Sequence, residues 1–279
     1  MTEAELAALR AEDGARVIQR DGRYWYAILP GFYQPIHLLA RMKATEVRRP
    51  TRLCWGYRAA LRDEDALVAN GSVPVHLLAD VGHFAEGVLN RNRRRALRRC
   101  RQEVELRRVR DPSLLVDEGY RVFMSAMGRV AYWQPLTEVE YRRRAERRAA
   151  DERRLIIVGL ADGRLGGYLE SYAVDGVLYT HELIVATEAL RTGISTGLYV
   201  ETFEIAARAG TVHTACVGLH TPEHPDLCTF KAGLGFRVVH VPARAAIPAP
   251  IGAFIKRRRP AAYYRLTGAV PTAGTTAQQ

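Results

Sequence analysis

The sequence predicts a mixed α/β (α+β) fold in which helices flank a mainly antiparallel sheet. Asp21-Gly22, Asp162-Gly163 and Asp175-Gly176 each separate apolar or alternating runs, and a tight hairpin turn needs the positive φ that these residues tolerate. Residues 155–242 run as three strands, a helix, a strand, a short helix and a last strand without a gap. Within that stretch, residues 198–209 have the apolar spacing of a helix packed on a sheet.

Residues 1–14 suggest a short helix. VIQR and RYWYAIL make a first hairpin about Asp21-Gly22. Pro30-Gly31 and Pro35 interrupt regular structure after the hairpin, so 31–42 reads as an aromatic-rich loop. Tyr24, Trp25, Tyr26, Phe32 and Tyr33 read as core and rim packing rather than a ligand platform. Residues 51–61 and 73–80 alternate well enough for strands.

Residues 83–102 are the most charged element. At 100° per residue, Ala85, Val88, Leu89, Asn92, Ala96 and Cys100 fall on one side, and Arg91, Arg94, Arg98 and Arg101 on the other. This arginine ridge is either a solvated face or a docking strip for a polyanion, because guanidinium stays charged and forks onto phosphate oxygens. VELRRV reads as a strand, and Asp111-Pro112 opens a helix. Tyr132, Trp133 and Pro135 mark a loop. A second basic helix from Thr137 has glutamates and arginines at i,i+4 spacing, as on a salt-bridged surface. After the hairpins at Asp162-Gly163 and Asp175-Gly176, Gly210 suits a left-handed helix cap. Residues 211–219 read as a buried strand, 227–235 as a short helix and 236–241 as the last strand. The chain ends in a basic cluster at 256–259 and a small, polar tail that reads as disordered.

At 279 residues and 31.2 kDa, 48% hydrophobic, the chain has room for one large domain or two. No run of about 18 apolar residues exists, so no membrane span is expected. The acidic, amphipathic N-terminus is unlike a signal peptide. Cys54, Cys100, Cys216 and Cys228 lack any C-x-x-C pairing and read as buried reduced thiols of a cytoplasmic protein, neither disulfide nor zinc ligands. The net charge of +11 points to anionic partners. Arginine supplies nearly all of it; lysine occurs only at 43, 231 and 256.

The element order of 155–242, with a Gly-containing loop ahead of the first helix and Lys231 and Gly235-Phe236 near the end, resembles the GNAT acyltransferase fold. LCTFKAGLGF (227–236) is similar to the FK-x-G-x-G segment of the Fem-type branch, in which a degenerate GNAT unit precedes the catalytic one. A basic helix, strand and helix extend the resemblance to residues 83–242. It implies a degenerate half over 1–150, a catalytic unit over 151–266 and a tail over 267–279. It also implies N-acyl transfer to a small-molecule or peptide amine, no permanently bound cofactor, and acyl-CoA or aminoacyl-tRNA as co-substrate.

The segment Arg191, Thr192, Gly193, Ile194, Ser195, Thr196 and Gly197 precedes a helix. Backbone amides and the positive end of the dipole meet there, which suits a phosphate or a plain N-cap. By resemblance it holds the donor, together with Val185. The family pattern Q/R-x-x-G-x-G/A is out of register in R-T-G-I-S-T-G, a departure that fits the Fem-type branch and its aminoacyl-tRNA donors. A tRNA partner also gives the arginine ridge a reason, since phosphate contacts dominate nucleic-acid affinity.

Lys231 is either an exposed helix lysine or, by resemblance, an ammonium beside the reacting carbonyl that stabilises the oxyanion. His181 and Glu182 lie on opposite strand faces by the two-residue period. Glu182 matches the family's proton acceptor, or is paired with an arginine. Glu170, Tyr172, Tyr179 and Phe230 are candidates for an acceptor pocket. His220-x-x-Glu223-His224 resembles a metal pattern that requires a helix, which Pro222 and Pro225 exclude, so no metal is expected. From a different class, the scaffold is a non-catalytic binder of nucleic acid or an anionic surface through Arg91, Arg94 and Arg98.

Overall fold

The structure, a computed structural model, describes residues 1–129 and 135–269. The expected loop at Tyr132 and Trp133, and the tail beyond residue 269, lie outside the described residues. In chain order the elements are α1 (Glu3–Glu12), β1 (Val17–Arg20), β2 (Arg23–Leu29), β3 (Phe32–Pro35), β4 (Gly56–Ala60), β5 (Gly71–Ala79), α2 (Arg91–Glu103), β6 (Val104–Arg108), α3 (Ser113–Met127), α4 (Glu138–Ala149), β7 (Leu155–Ala161), β8 (Arg164–Val174), β9 (Val177–Val185), α5 (Ile194–Ala209), β10 (Thr214–Leu219), α6 (Pro225–Gly233), β11 (Arg237–Ala246), α7 (Ala249–Arg258) and α8 (Pro260–Thr267).

Local chemistry accounts for most boundaries. All three Asp-Gly pairs have both residues at positive φ and close the hairpins β1–β2, β7–β8 and β8–β9. Capping boxes, Thr2 with Glu5 and Thr137 with Glu140, start α1 and α4. Gly210, at φ 68°, ends α5. Two expectations change. The basic helix begins at Arg91 rather than 83, because the Asn90 side chain accepts from the Arg93 amide at 2.9 Å and stops the turn there. Residues 81–88 form two 3-10 turns instead. The aromatic loop contains β3, whose Phe32 and Tyr33 are buried, in keeping with the core reading.

Chain contacts divide the molecule into two units. The first comprises Met1–His76, Leu219–Cys228 and the chain from Val238; the second comprises Leu77–Gly218 and Thr229–Arg237. The boundary expected at 150 therefore falls inside the second unit, because the C-terminal segments return to the N-terminal one. In the first unit the strand order is β1-β2-β3-β4-β11-β5, with β3 and β4 parallel. A core of Trp25, Tyr33, Met42, Val47, Cys54 and Leu61 lies in it. In the second unit the order is β10-β9-β8-β7-β6; β9 and β10 are parallel and the other pairs antiparallel. Its larger core gathers Leu97, Phe123, Ile157, Leu169, Leu198 and Phe203, among others.

Candidate active site

The second unit contains a parting between two strands. β9 and β10 pair in parallel only at Val177 with Thr214, Leu178 with Ala215, and Tyr179 with Cys216. Beyond Tyr179 and Cys216 both strands continue without pairing to one another. The ladder between the two strands is therefore open over that stretch.

A bulge decides which way the side chains at this parting point. Glu170 pairs with Glu182 and Ser171 with Thr180, so β9 has one residue, His181, more than its partner strand. Successive residues of β8 face opposite ways, and Thr180 and Glu182 are therefore sent to opposite faces. The expectation that His181 and Glu182 oppose one another is corrected by this extra residue. Arg148 reaches both, with one nitrogen 3.1 Å from Glu182 Oε2 and another 3.5 Å from His181 Nε2.

The Glu182 face holds a buried charge network. Arg148 also donates to Glu170 at 2.8 Å, Arg144 to Glu182 and Arg154 to Glu170. Glu170, Glu182, Arg148 and Arg154 are all under 9% exposed, whereas the Arg144 side chain keeps about a quarter of its surface in solvent. Three guanidiniums thus meet Glu170 and Glu182, and Arg154 also reaches Asp151 at 3.7 Å. The expectation that α4 is only a salt-bridged surface is corrected for Arg144 and Arg148. The signal lay in the spacing of Tyr141, Ala145 and Arg148, one buried stripe at i, i+4 and i+7. Tyr172 and Tyr179 stack across the strands on this same face, with centroids 5.5 Å apart.

The Thr180 face is different. Tyr199 of α5 shares a hydrogen bond with the Thr180 side chain, and burial pushes its phenol up to about 12. Phe230 packs on the Tyr199 ring at 5.8 Å and lies under the Arg93 guanidinium at 4.9 Å. Burial lowers the pKa of Arg93, whose side chain is 3.5 Å from Thr196 Oγ1. Phe230 is therefore separated from Glu170, Tyr172 and Tyr179; the four expected acceptor residues divide between two faces. Lys231, next in α6, is buried rather than exposed. Its charge acts on the Cys216 thiol, which burial pushes up to about 12 and Lys231 draws partly back.

The expected donor segment is built inward. Gly193, at φ 80°, caps α5. The Gly193 amide bonds to the Leu190 carbonyl, the Ile194 amide to Thr192 Oγ1, and the Thr196 and Gly197 amides to the Gly193 carbonyl. The Arg191 carbonyl accepts from Arg99, and the Val185 carbonyl from Arg129. Ile194, Thr196 and Gly197 are buried and Ser195 is half-buried. Helix α2 lies directly over the segment. A Cβ on Gly193 would collide with the Ala96 carbonyl, and one on Gly197 with the Cys100 sulfur. Of the amides expected to form an open phosphate nest, those of Gly193, Ile194, Thr196 and Gly197 are engaged internally, and α2 packs against Gly193 and Gly197.

The outer face of α2 keeps its expected character. Arg91, Arg94, Arg95 and Arg98 are exposed and have no carboxylate partner among the described residues, whereas Arg99 and Arg101 pair with Glu103, Glu86 and Glu204. In the first unit, an apolar cavity of about 880 Å³ is lined by Ile28, Trp55, Phe254 and Leu266, with Arg258, Arg259 and Arg265.

No protein-family model matches the sequence, and no curated protein does. Solved structures do. FemX superposes with a TM-score of 0.63 at 10% identity, over 92% of this chain and 94% of that one. The C-terminal domain named for lysylphosphatidylglycerol synthetase from Agrobacterium fabrum gives 0.60 at 13%, over 95% and 97%. L-PGS from Bacillus licheniformis gives 0.56 at 12%, over 95% and 96%. The chain has a GNAT-type fold like that of FemX. At these identities the likeness is one of fold, and it extends the resemblance seen at 83–242 to nearly the whole chain. No helix of the described residues is long and apolar enough to cross a membrane.

Proposed function

We propose that the protein is an acyltransferase that takes an aminoacyl group from an aminoacyl-tRNA and passes it to an amine acceptor at the parting of β9 and β10. The observation that carries the choice of donor is the seating of α2 on the start of α5. In the acetyltransferases that the sequence resembles, that loop cradles coenzyme A pyrophosphate; here the Gly193, Ile194, Thr196 and Gly197 amides have internal acceptors. The same helix turns Arg91, Arg94 and Arg98 outward without carboxylate partners among the described residues, as suits a polyanion larger than a nucleotide. The lysylphosphatidylglycerol synthetase neighbour names an aminoacyl product, which supports the same class.

In this reading the acceptor amine attacks the ester carbonyl carbon, a C–N bond forms and the carbonyl oxygen becomes an oxyanion. Lys231 steadies that charge, which is greatest in the transition state. The ester C–O bond then breaks, and the departing ribose oxygen takes the proton that the amine releases. Glu182, engaged by Arg144 and Arg148, holds those guanidiniums in place rather than accepting the proton. Approach and alignment are the protein's main contribution.

Binding of tRNA and of free coenzyme A, each measured across a salt series, tests the donor. The reading expects tRNA binding that weakens steeply with salt and no saturable coenzyme A binding. Saturable, salt-insensitive coenzyme A binding without tRNA binding overturns it. A non-catalytic polyanion binder is favoured by the same arginine ridge, and differs in leaving Lys231 dispensable.

A further inference from the structure

We propose that His76, His220 and Cys228, in the first unit, form a binding site for a zinc-type divalent transition-metal ion with one coordination position open. One ligand atom from each of the three lies within 4.8 Å of the others. His76 Nε2 and Cys228 Sγ are 3.8 Å apart. Zinc bonds of about 2.0–2.1 Å to nitrogen and 2.3 Å to sulfur place tetrahedral ligands roughly 3.4–3.7 Å from each other, close to the observed separation of His76 Nε2 and Cys228 Sγ.

The surroundings are arranged as ligand supports. His220 Nδ1 is 2.7 Å from the Tyr264 hydroxyl, a contact of the kind that orients a ligating imidazole. Tyr264 is in turn 3.4 Å from His240 Nε2, and His240 Nδ1 is 3.1 Å from Ser72 Oγ. The rings of His76 and His220 meet edge to face at 5.3 Å. Cys228 Sγ lies 3.4 Å from the Thr221 carbonyl, and the Thr221 hydroxyl is buried with no hydrogen-bond partner among the described residues. His76 is buried and Cys228 is half-buried. Two imidazoles and one sulfur suit zinc better than magnesium or calcium, which take oxygen. Binding releases one proton, as the Cys228 thiol becomes the metal-bound thiolate.

This departs from the expectation of no metal, and from the pattern that raised the question. Glu223 pairs with Arg265 and His224 is exposed; of His220-x-x-Glu223-His224 only His220 takes part. Its partners come from β5 and α6, and the ion would clip together three segments of one unit.

Titration of the purified full chain with Co²⁺ and Zn²⁺ tests the site. Expected are one equivalent bound, intense tetrahedral cobalt absorption with a thiolate-to-cobalt charge-transfer band, displacement by Zn²⁺, and a Tm raised by several degrees with Zn²⁺. Cys228→Ser, a change at a partly open position, should abolish the charge-transfer band and weaken binding at least about a hundredfold. Tyr264→Phe should weaken it about tenfold. Absence of saturable binding at micromolar metal, or binding that Cys228→Ser leaves unchanged, overturns the proposal.

Discussion

The carbonyl oxygen of Ala96 in α2 lies against the α-carbon of Gly193, so closely that no side chain fits between them. Gly193 also has φ 80°. Gly193→Ala combines a left-handed alanine, costing roughly 1–2 kcal/mol, with a clash against backbone that cannot rotate away. Stability should fall by at least about 2 kcal/mol in urea unfolding. An unchanged midpoint would mean that α2 is not seated there.

Arg148 lies between two buried carboxylates. Arg148→Met should destabilise the protein by about 3–5 kcal/mol, because Glu170 and Glu182 then share fewer cations in a buried site. Adding Glu170→Gln should deepen the loss, because the buried Arg154 guanidinium then loses its Glu170 partner, and a double-mutant cycle on the purified variants measures the coupling.

Lys231→Ala should lower turnover by about a hundredfold to a thousandfold, the range for loss of one oxyanion-stabilising group. Donor affinity should change far less. Single-turnover kinetics beside direct donor binding separates the two; an equal loss in both would make Lys231 a binding residue only.

Arg91→Gln, Arg94→Gln and Arg98→Gln should each reduce the slope of log affinity for tRNA against log salt by about 1. The folded state should be nearly indifferent, since none of the three has an ion pair among the described residues. Binding that keeps its slope in the triple variant would place the polyanion elsewhere.

Stability should fall above about pH 9. Burial raises the Cys100 thiol from 9.0 to about 11 and Cys216 from 9.0 to about 12, and it raises the phenols of Tyr141 and Tyr199 from 10.0 to about 12. These groups stay protonated in the folded chain after they have ionised in the unfolded one. Their stabilisation is complete below the unfolded values and is lost as pH rises toward the folded ones. Unfolding free energies at pH 8, 9.5 and 10.5 check the direction, and Cys216→Ala should flatten the decline.

Much of the fold was legible because its signals are local. Asp162-Gly163 and Asp175-Gly176 specify turns whatever surrounds them, and residues 198–209 and Gly210 carry their helix and its end. The site was legible only in part. Lys231 stands out as a rare lysine, but its burial cannot be read from an amphipathic pattern. Glu182 was identified, yet its direction depended on the extra residue at His181, which creates no break in the sequence. Nothing in the sequence separates Phe230 from Glu170, Tyr172 and Tyr179; packing on Tyr199 puts it on another face.

The chain alone determined the hairpins, the helix caps and the outward arginines of α2, since each depends on neighbours within a few residues. Tertiary structure decided which arginines of α4 turn inward, that α2 roofs the start of α5, and that His76 meets His220 and Cys228. Those outcomes join residues from 22 to more than 140 positions apart, where no local spacing applies. Only the packing of the folded chain brings the charges, carbonyls and ligands within reach.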